Sequence, residues 1–381
     1  MIETIFWTSL ALIIYQYVSY PIILGAMALI LGKKVEKGDL LPEVTLIISA
    51  YNEEEVMEEK IKNTLALDYP KDKLEIVVAS EATDGTNEIV KKYADRGVKL
   101  FTFEDREGKA ATLFRSVPKT KGEILVFSDA NATYTKEAIK KLVRNFADKN
   151  VGCVSGRLCY KNSQNSTSGK GEIYYWNYET FLKKVCSRLF IQNGVNGSIF
   201  ALRREAYLPL SKYRGDDFEL PINAAIHGYG VVFEPDAVSY EEVSETFNQE
   251  FKRKVRVASW NFRSGLILLS EALKRGRLFV AFHLVSHRML RWCIPLFLIS
   301  VFISNLFLVT NDNRVYLLVF IIQDVFYVTA AISFFMDRVF SKKSQKLLFL
   351  PYYFCMVNYA SLRGVFGAIF RKAEIVWEKN R

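Results

Sequence analysis

Residues Ile5 to Leu31 are apolar apart from Gln16 and a few hydroxyl-bearing side chains. A run of that length is long enough to cross a bilayer, and a spanning segment must satisfy its own backbone as an α-helix. A cleaved signal peptide is the competing reading. Against it, Met1-Ile2-Glu3 lacks a basic n-region and the run is too long. Lys33, Lys34 and Lys37 follow at once. Basic residues mark the cytosolic side, so the N-terminus is expected outside and the next segment in the cytosol.

The second apolar region begins after residue 277. Arg277 to Arg291 carries His283, His287, Arg288 and Arg291 among apolar residues, which suits an interfacial amphipathic helix better than a span. Cys293 to Val309 can span, Thr310 to Arg314 is a short external turn, and Val315 to Phe335 can span back. Asp324 inside the last span is costly at that depth and is expected to face other helices or a polar cavity. Lys342, Lys343 and Lys346 mark the cytosol again. Leu347 to Phe370 is interrupted by Asn358, Ser361 and Arg363 and reads equally as a span, a re-entrant hairpin or an interfacial helix. The expected organisation is a transmembrane helix in 1–35, a cytosolic domain in 36–262, and an interfacial helix with transmembrane helices in 263–381.

Half of the 381 residues are hydrophobic and 14% are aromatic, but the middle of the chain has the composition of an ordinary soluble domain. There, short apolar runs alternate with helical patterns. Strands are expected at Val44–Ser49, Leu74–Ala79, Lys99–Phe103 and Ile124–Phe127. Helices are expected at Glu53–Asp68, Thr86–Arg96, Gly108–Ser116 and Lys136–Asp148, and again over Glu241–Leu273. Asn162 to Gly171 reads as a loop. The alternation implies an α/β fold, a mostly parallel sheet flanked by helices. The net charge of +10 shows no dense basic stripe interleaved with stacking aromatics, so no nucleic-acid partner is expected. Five cysteines without a CxxC pair fit a reducing compartment.

Chemistry-bearing residues gather at the expected strand ends. Ile124 to Phe127 ends in Ser128-Asp129-Ala130-Asn131. Oxygen-bearing side chains one residue apart can share a hard cation, and that cation can hold a diphosphate; an Asx turn fits the same residues. After the first strand, Tyr51 offers a stacking face and Glu53 an acceptor, and an acidic helix start also fits. After the second come Ser80, Glu81 and Asp84, the last favoured as a helix cap. Gly108-Lys109 opens a helix and brings positive charge toward phosphate, although a solvated lysine looks the same. Asp216-Asp217 is either a pair in which one carboxylate raises the pKa of the other or an acidic first turn.

In this order the stretches Val44–Glu53, Ala79–Thr86, Glu107–Ala111, Ser128–Asn131 and Gly215–Pro221 resemble the membrane-anchored family 2 glycosyltransferases of GT-A fold. The resemblance implies a nucleotide site at Tyr51, Glu53, Ser80, Lys109 and Asp129, with Ser80 standing where the family usually has Asp and Glu81 able to share its role. It implies a divalent ion, Mn or Mg, at Asp129 and Asn131. It implies a general base at Asp217 beside Asp216. Val195–Ser198 and Arg203-Arg204 resemble an acceptor-side strand and turn. Arg253, Arg256 and Trp260 lie where processive members carry Gln-x-x-Arg-Trp; here the pattern is Arg-x-x-Arg-Val, with the arginines expected to help hold the diphosphate.

The resulting expectation is an inverting glycosyltransferase on the inner face of the cell membrane. Its donor is a nucleotide-sugar, UDP-linked, and its acceptor a lipid-linked sugar or a polysaccharide; membrane lipid is a further partner. The rivals are a polyprenyl-phosphate sugar synthase, a processive polysaccharide synthase, and a membrane module that binds nucleotide-sugar without turnover.

Overall fold

The computed structural model describes residues 1–161, 179–209, 215–242, 247–310, 313–339 and 346–370. The loop expected at Asn162–Gly171 lies outside them.

The chain opens with α1, a helix over Ile2–Ile30 with a π-turn at Tyr15–Ser19. The elements of the α/β domain follow: β1 (Val44–Ala50), α2 (Glu54–Leu65), β2 (Leu74–Ser80), α3 (Thr86–Lys91), β3 (Val98–Thr102), α4 (Lys109–Ser116), β4 (Ile124–Asp129), β5 (Thr133–Tyr134), α5 (Ala138–Val143) and β6 (Val151–Lys161). Helical residues 179–188 make α6. Then come β7 (Phe200–Arg203), α7 (Asp216–Ile226), β8 (Gly230–Glu242) and α8 (Phe247–Lys274). The C-terminal part holds α9 (Leu278–Leu308, with a π-turn at Val285–Met289), α10 (Arg314–Val339) and α11 (Lys346–Phe370).

Among the described residues eight strands form one mixed sheet in the order β3-β2-β1-β4-β7-β6-β8-β5. The β1–β2, β2–β3, β1–β4 and β6–β8 pairs are parallel, whereas β7 runs antiparallel to β4 and β6. The central strands are apolar on both faces because both are covered. In β4, Leu125 and Phe127 enter one core with Phe200, and Ile124 and Val126 enter the core on the opposite face. Register places Ser49 beside Asp129, so the turns after β1 and β4 open at the same edge.

Two sequence expectations change here. Glu241 belongs to a strand, because β8 stays paired with β6 as far as Lys161 and Glu242, and the helix starts only at Phe247. Residues 195–198 form the turn before β7 rather than a strand.

Among the described residues three helices are long and apolar enough to cross a membrane: Ile2–Ile30, Leu278–Leu308 and Arg314–Met336. The stretch expected as a separate interfacial helix, Arg277–Arg291, is instead the first half of α9. Two of its polar residues turn onto α1. His283 bonds the Tyr20 hydroxyl through Nδ1 at 2.6 Å, and Ser286 bonds the Tyr15 hydroxyl at 2.8 Å. Asp324 on α10 is half-buried. The α11 helix lies against α8, and Arg263 Nε of α8 donates to the Ala368 carbonyl at 2.6 Å.

Candidate active site

Four loops meet at the carboxyl edge of β1, β2 and β4. Gly108 (φ +88°) lets the chain turn into α4, and the first residue of that helix is Lys109. Its ammonium lies 2.8 Å from Asp129 Oδ1 at the end of β4 and 3.0 Å from Asp216 Oδ2 at the start of α7. Burial opposes the charge on Lys109, but Asp129 and Asp216 outweigh it and hold the ammonium well above the usual lysine range. Asp217 follows in the first turn of α7 and packs against the 195–198 turn: a Cβ on Gly197 would stand 3.6 Å from Asp217 Oδ2. Burial first, and then the Asp216 charge, push the Asp217 carboxyl up to about 6.

A further carboxylate enters from β8. Burial and the Asp129 charge push Glu241 up to about 7. Lys109, Asp129, Asp216 and Asp217 thus come together, with Glu241 as an acid that the sequence reading had placed in a helix.

Beneath the β4 turn lies Lys60, 1% exposed. It donates to Ser128 Oγ at 2.6 Å and to the Ala132 carbonyl at 2.5 Å, and lies over the Tyr134 ring at 4.2 Å. Burial lowers its pKa to about 7. The sequence signal was present but unread: Met57, Lys60, Ile61 and Thr64 share the inner face of α2.

The nucleotide-side residues are less concentrated. Ser80 is buried, and its hydroxyl accepts the Ala82 N–H. Glu81 is committed to the 105–115 segment, accepting from Gly108 N at 2.9 Å, Thr112 Oγ1 at 2.8 Å and Arg115 Nη2 at 3.1 Å. Asp84 accepts the N–H groups of Thr86 and Glu54 and so fixes the starts of α3 and α2. Glu53 is buried, its N–H donating to Thr86 Oγ1. The Tyr51 ring carries the Arg106 guanidinium at 4.1 Å. On α8, Arg253 pairs with the buried Glu250 at 2.8 Å, and Arg256 lies over the Trp260 ring at 5.7 Å. Neither arginine is drawn into the Lys109 cluster, although Arg253 lies close enough to Glu241 to ease its charge.

Among the described residues no three His, Cys, Asp or Glu side chains are spaced to cage a metal ion. The donor set suits a different kind of site. Asp129 and Asn131 stand at an open strand end, and a hard divalent ion held by one or two protein oxygens takes its remaining ligands from phosphate and water. The buried Asp216 Oδ2 has an ammonium nearby but no directed hydrogen bond. An excess of carboxylates over Lys109 is the electrostatics a cation relieves.

The sheet order, the strand-end acids and the membrane helices define a GT-A-type glycosyltransferase anchored by apolar helices. A family model described as "Glycosyltransferase like family 2" matches residues 42–259, more than half of the chain, and the protein belongs to that family. It is 28% identical over 291 residues to "Probable glycosyltransferase YdaM" of Bacillus subtilis (strain 168), covering 71% of this chain and 67% of the relative. It is 24% identical over 226 residues to "Poly-beta-1,6-N-acetyl-D-glucosamine synthase" of Staphylococcus aureus (strain COL), covering 58% of this chain and 55% of the relative, so it spans only about half of that enzyme. The solved mannosyltransferase PcManGT from Pyrobaculum calidifontis, in complex with GDP-Man and Mn2+, superposes with a TM-score of 0.71 at 21% identity. The match covers 97% of this chain and 99% of that one, so the fold extends through the membrane helices.

Proposed function

We propose that the protein transfers a sugar, with inversion, from a UDP-sugar to a lipid-linked or polysaccharide acceptor at the cytosolic face of the membrane. The observation that carries this reading is the Lys109 ammonium set between Asp129 and Asp216, with the raised carboxyl of Asp217 beside them.

Asp217 takes the proton of the acceptor hydroxyl while that oxygen attacks the anomeric carbon. The carbon–oxygen bond to the nucleoside diphosphate breaks in the same step, and its electron pair leaves on the diphosphate. A base with a pKa near neutrality is ionised at working pH yet basic enough to accept the proton. Lys109 offers its ammonium to the diphosphate, and Arg253 and Arg256 of α8, held on Glu250 and Trp260, would swing toward the same group. Asp129 and Asn131 would hold a divalent cation, which neutralises charge on the leaving group when bound. Tyr51, Glu53 and Ser80 form the nucleoside side of the cleft.

Purified full-length protein in detergent is offered UDP-glucose, UDP-galactose, UDP-N-acetylglucosamine and GDP-mannose, with Mn, Mg or chelator, and released nucleotide is measured. UDP release from one donor, dependent on metal and lost in Asp129→Ala, is the expected result. Release of GDP alone would replace the donor class. Nucleotide binding by calorimetry with no release under any acceptor would leave a binding module.

A further inference from the structure

The carboxylates around Lys109 form one pole of the cleft. A second pole, of opposite sign, lies where α9 meets the catalytic domain. Arg288, in the π-turn of α9, donates Nε to the Asn193 carbonyl at 2.9 Å. Its terminal nitrogens donate to no described residue, and Nη2 lies 3.3 Å from where a Gly194 Cβ would stand. The Asp217 carbonyl is 3.5 Å from that same point. Gly194 (φ +124°) therefore separates the guanidinium from the Asp217 backbone without a side chain between them.

On the other side of the same loop, buried Lys183 of α6 donates to Asn196 Oδ1 at 2.6 Å. Arg291 ion-pairs with Glu179. His287, 5% exposed, has no hydrogen-bond partner on either ring nitrogen. Among the described residues, Arg288, Lys183 and Arg291 gather here around Glu179 and Asp217. Burial lowers Lys183 to about 8, and the nearby Arg288 charge acts in the same direction. Like charges gathered around orphaned donors are stabilised by an anion.

The helices around the cluster indicate the anion's source. Arg288 and His287 belong to a helix long and apolar enough to span, and α1, another such helix, covers the cluster through Tyr15 and Tyr20. A phosphate held beside two such helices would lay its acyl or isoprenoid chain along their apolar faces.

We propose that Arg288, Lys183 and His287 bind the phosphate or diphosphate of a lipid-linked acceptor, and so present its sugar hydroxyl to Asp217. This rests on the transfer reading above and narrows its acceptor to an anionic lipid conjugate. The phosphate is a handle and not the nucleophile, so the bond changes are those already given.

The test uses full-length protein in nanodiscs of zwitterionic lipid. Dodecyl phosphate, dodecyl glucoside and inorganic phosphate are titrated against wild type, Arg288→Gln, Arg288→Lys and Lys183→Gln, with thermal melting as the fold check. UDP with Mn is titrated in parallel. The expected result is selective binding of dodecyl phosphate, weakened roughly tenfold or more in Arg288→Gln and in Lys183→Gln and less in Arg288→Lys, with the nucleotide isotherm unchanged. Equal binding of dodecyl glucoside, or equal affinity in wild type and in both glutamine variants, overturns the proposal. Inorganic phosphate binding as tightly as dodecyl phosphate overturns its lipid half. Loss of nucleotide binding in wild type, with Arg288-dependent dodecyl phosphate binding retained, would sink the transfer reading and leave the anion site standing.

Discussion

At the residue scale, Asp217 and Asp129 are predicted to fail differently. Asp217→Asn removes the base but leaves the Lys109–Asp129 pair, so turnover should drop by about 10²–10⁴-fold with metal-dependent nucleotide affinity kept. Asp129→Ala should lose that affinity itself; calorimetry beside rate measurement separates the two. The pH profile has a definite sign. Asp217 is a carboxyl raised to about 6, so its basic form is present above pH 6 and is lost as pH falls through it. The rate should fall roughly tenfold per unit on that acid limb, and a cation at Asp129 should move the limb to lower pH. Lys60 titrates with the opposite stability signature. Its pKa is about 7 when folded and ordinary when unfolded, so between about pH 7 and 10 the unfolded chain holds the extra proton and stability rises with pH. Melting of wild type against Lys60→Met at pH 7 and pH 9 checks this: the wild-type increase should be smaller in the variant, the remainder coming from Lys183. The strand-end acids could be found from sequence because their chemistry needs particular residue types at fixed spacing. Lys60, Lys183 and Arg288 could not be assigned roles that way, since a buried charge acquires its meaning only from partners far along the chain.

At the element scale, the junction of α8 and α11 is set by one missing side chain. A Cβ on Gly364 would stand 2.6 Å from Ala258 Cβ and 2.7 Å from the Val255 carbonyl oxygen, part of which is backbone that cannot rotate away. Gly364→Ala should therefore destabilise by about 1–3 kcal/mol, read as a lower melting temperature. Because α8 carries Arg253 and Arg256, the same variant should also weaken nucleotide binding. Gly25→Ala is the control: no heavy atom lies within 4 Å of its added Cβ, and its melting temperature should equal or exceed wild type. Elements with strong periodicity were readable from sequence, including β1, β2, β4 and α2. The antiparallel β7 and the long β6–β8 pairing were not, because their residues are chosen by neighbours already in the sheet. The continuity of α9 has the same origin: that Arg277–Arg291 runs on into the next apolar stretch as one helix is decided by its packing against α1.

At the scale of the whole molecule, a short strap fixes the catalytic domain to its first helix. Lys33 N–H donates to the Arg188 carbonyl at 2.8 Å and Gly38 N–H to the Arg144 carbonyl at 3.0 Å. Lys37 reaches the fully buried Glu234 carboxylate at 2.8 Å, which also takes both Arg144 contacts and the Asn145 amide. Unlike an exposed ion pair, this one cannot be lost cheaply. The strap leaves little freedom between α1 and the sheet, so the orientation of α1 in the bilayer decides which side the active site faces. In the proposed orientation the lysines after α1 draw that end to the cytosol, α9 leads out, and α10 returns. Cysteine labelling tests the arrangement. Asn313→Cys, exposed in the turn between α9 and α10, should react with a membrane-impermeant maleimide in intact cells. Asp72→Cys, exposed at the start of β2, should react only after lysis. Labelling in the reverse order would place the sugar-transfer site outside, where nucleotide-sugars are not supplied, and would remove the cytosolic half of the proposed function while leaving the fold and the family untouched.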